Sequence, residues 1–157
     1  MTGLRFVCWL SVALVFVLGG CNTNITDADV KNIDLADVRK LVSASTAKPN
    51  SRDLLLIYPR STARFEQAHI PGARNLKLPQ FPERGEIDTE LASYDTIVVY
   101  GDDPADVAAR AMAKRLMAIG YRRVRLFAGG LREWQAAGYR VESATPPADQ
   151  PTEASGP

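Results

Sequence analysis

The chain has almost no cysteine, and none where a folded domain would use it. Both thiols, Cys8 and Cys21, fall in the first 21 residues. An intramolecular disulfide and a cysteine nucleophile are therefore excluded for everything after them. A charge excess is missing too: 19 Lys+Arg stand against 18 Asp+Glu. That excludes a general nucleic-acid binder and a polybasic membrane-surface protein, since both need a positive surplus. There is a single histidine, His69. It has no cysteine or serine partner in a recognisable pattern, so it reads as structural, because a base needs a nucleophile within reach. No internal repeat is present. No apolar run approaches the roughly 20 residues that a membrane-crossing helix needs.

What is present is enough for one domain with a real core: 157 residues of ordinary globular composition. Met1 to Arg5 is a short leader with one basic side chain, and Phe6 to Leu18 is an unbroken run of apolar or small residues. Too short to span a membrane, this run has the layout of a signal h-region followed by small residues. Asn22 to Asp27 is a polar tether, and residues 21–29 are assigned to it as a whole.

The rest alternates strand and helix signals. Lys31 to Ile33 reads as a short strand. Asp34 reads as the N-cap of a helix carrying Leu35, Val38, Leu41 and Val42, and Ser43 to Arg52 as a loop. Asp53 to Tyr58 is a near-continuous apolar run, expected of a strand buried on both faces of a parallel sheet. Ser61 is a plausible N-cap for a short helix with Phe65. After a turn from His69 to Ala73, a connecting excursion rich in Pro, Gly and charge runs from Pro79 to Tyr94, with one helical turn expected near Thr89 to Leu91. Asp95 to Tyr100 is the next strand. Ala105 to Ile119 is the clearest helix, with Val107, Ala108, Ala111, Met112, Leu116 and Ile119 on one face and Gly120 as its stop. Val124 to Phe127 is a strand, Leu131 to Ala137 a last helix, and residues 143–157 read as a disordered tail. This order predicts an α/β domain over residues 30–142, a mostly parallel sheet with helices on both faces.

Function in such a fold is sought where a central strand ends in a loop before a helix N-terminus. Here that is Gly101-Asp102-Asp103-Pro104-Ala105-Asp106. No nucleophile stands there, and no cation to face an anion. Asp103 at N-cap, Pro104 at N1 and Asp106 at N3 make a good helix start. The competing reading is a cation site built from Asp102, Asp103 and Asp106, but the spacing lacks the glycine-punctuated pattern of a calcium loop. No metal and no cofactor is expected. Arg60 and Arg64 follow the preceding strand as a candidate pocket. They would either hold an anionic ligand or pair with Asp102 or Asp106 across the cleft. Trp134 reads as a core anchor. Arg122, Arg123 and Arg125 form a basic edge, read as solvated.

With these elements placed, the chain resembles a rhodanese-like domain. The resemblance rests on Phe65-Glu66-Gln67-Ala68-His69-Ile70-Pro71-Gly72-Ala73-Arg74-Asn75 and on Gly129-Gly130-Leu131-Arg132-Glu133-Trp134-Gln135-Ala136-Ala137-Gly138-Tyr139. It implies that an active member would carry a cysteine at the position of Gly101, to take up sulfane sulfur as a persulfide, and often an arginine at the position of Asp106. An aspartate-x-arginine would precede them where this chain has Tyr58-Pro59-Arg60. Only Arg60 is kept. Glycine bears no persulfide, and the exchange depends on a thiolate. The resemblance therefore implies an inactive sulfurtransferase homologue. Leu18-Gly19-Gly20-Cys21 resembles the lipobox of bacterial lipoproteins, which implies a signal peptide over residues 1–20 and acylation of Cys21. Asn22 then points to the outer membrane, facing the periplasm, ahead of the inner membrane.

The function expected from these features is a membrane-anchored binding or scaffolding module of the cell envelope, with a protein partner there and no nucleic acid. Two rivals stay open. One is a sulfur-compound or small-anion binding protein. The other is a divergent enzyme using the same pocket without cysteine.

Overall fold

The computed structural model describes residues 25–83 and 85–143. The expected signal peptide, the lipidation site at Cys21, the first part of the tether and the tail beyond Ser143 lie outside them.

Within the described part, four short strands form one parallel sheet. They are β1 (Leu54–Ile57), β2 (Ala73–Arg74), β3 (Thr96–Tyr100) and β4 (Val124–Phe127), in the order β2-β1-β3-β4. Leu56 is in register with Val98, and Val98 with Arg125. Five helices join them: α1 (Leu35–Ala47), α2 (Thr62–Gln67), α3 (Thr89–Ala92), α4 (Val107–Ile119) and α5 (Gly130–Ala136). The strands are apolar at successive positions because both faces are covered, and alternate side chains go to opposite layers. Leu55, Ile57, Ile97 and Val99 pack with Met112, Ala113 and Leu116 of α4. Leu54, Leu56, Val98 and Tyr100 pack with Val38 and Val42 of α1 and with Trp134 of α5. At about 25 cal/mol per Å² of apolar area removed from water, these two layers supply most of the driving force for folding.

Several boundaries differ from the sequence pattern, each for a local reason. Lys31 to Ile33 makes one bridge rather than a strand. Asn32 pairs with Leu126, and the chain turns at once into α1 because the Asp34 carboxylate caps Asp37 N–H at 2.9 Å. α1 runs on to Ala47, through part of the expected loop. Its small residues cost a helix little, and the Thr46 hydroxyl folds back onto Val42 O. A short 3-10 turn at Asp27–Asp29 stands within the expected tether.

The start of α4 is the correction with most consequence. Asp103 is not its cap. Asp106 is the N-cap, accepting from Ala109 N–H at 3.1 Å, and the helix begins at Val107. The buried stripe is accordingly Ala109, Met112, Ala113 and Leu116, whereas Val107, expected in the core, is 75% exposed. Gly120 ends the helix at φ +113°, in the left-handed region open to glycine.

Candidate functional site

The loop after β3 lies at the carboxyl end of the central strand, where a parallel sheet leaves its crevice. Gly101 is buried, and Asp102 to Asp106 arch from it to α4. The side chain of Asp106 turns back under this arch and is only 3% exposed. One oxygen takes Ala109 N–H and the other takes Asp102 N–H at 2.9 Å. Arg60 Nε stands 3.5 Å from that second oxygen, and the same guanidinium reaches Asp102 at 3.1 Å. A cluster of backbone N–H groups, a helix N-terminus and an arginine, the elements of an anion cradle, is thus turned on a carboxylate of the chain itself.

Gly101 is the counterpart of that arrangement. A Cβ built on it would lie 2.3 Å from Asp106 Cγ and 2.4 Å from Asp106 Oδ2. The space beside the strand end is therefore already taken. A side chain at position 101 and the carboxylate at 106 cannot both occupy it.

Two tyrosines complete the site. Tyr58 and Tyr100 stack with ring centroids 4.8 Å apart at 2°. Tyr58 donates to Asp102 Oδ1, and the hydroxyl of Tyr100 accepts Ile70 N–H at 3.0 Å. Burial pushes both phenols well above the ordinary tyrosine range, and the hydrogen bond from Tyr58 to the Asp102 carboxylate adds to the shift there. In the sequence Tyr58 stands where the family resemblance implies an aspartate, and Tyr100 merely ends the next apolar strand.

The other loop acid is held elsewhere. Asp103 caps a turn by accepting Ala105 N–H and pairs with Arg132 at 2.7 Å. Asp102 and Asp106 thus share Arg60 while Asp103 is drawn to Arg132, and among the described residues no group of three or more His, Cys, Asp or Glu side chains could hold a metal ion. Closure against α5 is tight. Gly130 sits at φ +63°, and a Cβ there would lie 2.5 Å from the carbonyl oxygen of Gly101. Leu131 N–H and Arg132 N–H donate to the carbonyls of Gly101 and Asp102, both at 2.9 Å.

Arg64 is placed apart from Arg60. It lines a cleft of about 400 Å³ between α2 and α5, together with Tyr58, Gln67, Asp102 and Gln135. No carboxylate pairs with it among the described residues. His69 lies outside the loop cluster. Its Nδ1 is 2.7 Å from Phe65 O, its ring stacks on Phe65 at 3.8 Å, and its backbone bridges Glu142. Trp134 is buried, its indole donating to Arg140 O at 2.8 Å.

These features define an α/β domain with a parallel sheet and a strand-end loop closed on an internal carboxylate. The family model of the rhodanese-like domain matches residues 27–137, and the chain belongs to that family. No curated protein matches it by sequence. Among solved structures it is similar to thiosulfate sulfurtransferase from Pseudomonas aeruginosa, at 28% identity and a TM-score of 0.53 over 73% of this chain and 20% of that one. The Tum1 protein of Saccharomyces cerevisiae matches at 20% identity and a TM-score of 0.59, over 74% of this chain and 47% of that one. A Rhodopseudomonas palustris protein of unknown function, described as a possible tyrosine phosphatase, matches at 18% and 0.57, over 74% and 87%. The last two, at their identities, speak for the fold alone.

Proposed function

We propose that this chain is a non-catalytic rhodanese-like domain. It is held at a bacterial cell-envelope membrane through acylated Cys21 and works there as a binding or scaffolding module for a protein partner. The observation that carries the loss of catalysis is the Asp106 carboxylate in the space beside Gly101. Sulfur transfer in this family needs a thiolate at that point, and the chain offers neither the thiol nor the room for one. The family fold without a nucleophile still presents its surfaces, and surfaces are what a binding module uses.

Thiosulfate:cyanide sulfurtransferase assay of the mature protein tests the first half, with no turnover above buffer as the expected result. Robust activity would overturn it. Radiolabelled palmitate feeding, comparing the wild type with Cys21→Ala, tests the anchor; equal labelling of both would sink it. Crosslinking from the membrane-held form identifies the partner.

A second reading keeps the site as a small-anion binder. It is favoured by one feature, Arg64 at the rim of the α2–α5 cleft, which has no carboxylate partner among the described residues. Calorimetric titration with thiosulfate and sulfite separates it from the first: heat that disappears in Arg64→Ala supports it, and silence in the wild type removes it.

A further inference from the structure

The first described residues lie along one edge of the sheet. Asn32 bridges Leu126 of the edge strand β4, and Leu126 N–H donates to Lys31 O at 2.9 Å. Val30, just before, is buried in the layer that α4 covers. The turn at Asp27–Asp29 stands against the flank of α4, where Lys114 Nζ pairs with Asp27 Oδ1 at 2.8 Å. The opposite edge is β2. The α2 helix belongs to that far side, since Lys77, just past β2, donates to the Thr62 hydroxyl at 2.8 Å.

Cys21 is only six residue steps before Asp27. Fully extended, those steps reach at most about 20 Å. A domain of this size is roughly 35 Å across. A lipid on Cys21 therefore cannot leave the choice of face open. The face that bears Asp27 is the one held toward the bilayer.

The chemistry of that face agrees. The α4 helix carries Arg110, Lys114 and Arg115 and no acid. With Ala109, Met112, Ala113 and Leu116 turned to the sheet, helical periodicity puts Val107, Ala111, Lys114 and Ala118 on the outer side and Arg110 on the flank toward Asp27. Val107 is a large apolar side chain left in the open. The acids of the adjoining turn are engaged, Asp27 by Lys114 and Asp29 by the N–H and hydroxyl of Thr26, both at 2.7 Å. Apolar residues flanked by long cationic side chains suit the headgroup region, and the cations are attracted to anionic lipids.

We propose that the outer face of α4, with Val107, Arg110, Ala111, Lys114 and Ala118, rests on phospholipid headgroups, and that α2 and the β2 edge face the aqueous side. The proposal rests on the acylation of Cys21 and goes beyond it by fixing which surface the membrane covers.

The test uses the full acylated chain in vesicles of phosphatidylethanolamine and phosphatidylglycerol in equal parts. On this reading the mature chain has no free thiol, since Cys8 lies in the signal peptide and Cys21 carries the lipid. One fluorescent label at a time is placed through Ala111→Cys, Ala118→Cys or Ala63→Cys, the last on α2; all three alanines are at least partly exposed. Flotation with the vesicles comes first. A chain that does not float refutes the anchor, and this proposal with it. Once the chain floats, spin-labelled headgroups are expected to quench the labels at residues 111 and 118 several-fold more than the label at residue 63. Equal quenching at all three, or stronger quenching at residue 63, would overturn the proposal and leave the anchor standing. A linker of about 20 Gly and Ser residues inserted after Asn22 lengthens the leash beyond the width of the domain and is expected to bring the three labels to one level. An unchanged contrast would show that the leash does not set the orientation and would equally overturn the proposal.

Discussion

Asp106 places its carboxylate where a side chain on Gly101 would have to stand, with Asp106 Oδ2 2.4 Å from the position of a Cβ at residue 101. The two residues are therefore one device. The glycine makes the room, and the carboxylate fills it while satisfying Asp102 N–H and Ala109 N–H. Replacing Gly101 by Ala is expected to destabilise the fold by about 1–3 kcal/mol, as overpacking does. Asp106→Gly in the same chain is expected to remove most of that penalty, since it takes away the Asp106 Cβ, which would lie 2.4 Å from the new one, together with the carboxylate, at the loss of the side-chain cap of α4. Urea denaturation of the two single variants and the double variant checks this; additive losses would show the residues to be uncoupled.

The same coupling predicts how activity responds. Gly101→Cys alone is expected to remain without sulfurtransferase turnover, since the new thiol has no space. Any gain should require Asp106 to be shortened as well. A thiosulfate:cyanide assay on Gly101→Cys and on Gly101→Cys with Asp106→Gly distinguishes the two, and turnover by the single variant would contradict the geometry.

Arg60 and Arg64 are expected to behave differently, although they lie four residues apart. Arg60 offsets both Asp102 and Asp106. Arg60→Ala strands the nearly buried Asp106 carboxylate and should cost about 1–3 kcal/mol. Arg64 has no carboxylate partner among the described residues, so Arg64→Ala should stay within about 0.5 kcal/mol of the wild type. Equal losses in thermal denaturation would refute the asymmetry.

Stability should fall at high pH because of the stacked tyrosines. In the unfolded chain a tyrosine ionises near 10.0, and burial raises the folded values of Tyr58 and Tyr100 above that. The folded state then holds its phenolic protons more tightly, so this contribution is fully present below the unfolded value. It is lost as pH rises beyond it. Denaturation midpoints should decline above about pH 10, with a shallower decline in Tyr100→Phe. A flat profile there would show that the phenols are not shielded.

Gly130 is expected to tolerate no side chain. Its φ of +63° disfavours one, and its Cβ would press on the carbonyl oxygen of Gly101, a backbone atom that cannot swing away. Gly130→Ala should cost more than about 1 kcal/mol and loosen the loop, which hydrogen exchange at Leu131 and Arg132 would report.

Most of the fold was legible because it rests on local patterns. Apolar runs bounded by Pro59, Gly101 and Gly129 mark buried strands, and Asp34 and Ser61 mark helix starts through a carboxylate or hydroxyl that takes backbone N–H groups. The error at α4 is instructive. Asp103 and Asp106 both fit the pattern of a cap, and Asp103-Pro104 fits it better in isolation. Arg132, 29 residues further on, draws Asp103 outward, while Arg60 and Asp102 N–H hold Asp106 inward. The helix start moved to Val107, and with it the buried stripe.

The sequence by itself determined the α/β order, the lack of any thiol after Cys21 and the glycine at the strand end. These depend on residue identity and short-range periodicity, which neighbours along the chain suffice to express. Only the tertiary structure decided what the empty position beside Gly101 contains. The contact between Gly101 and Asp106 rests on the path of a loop that Arg60 and α5 pin from distant parts of the chain.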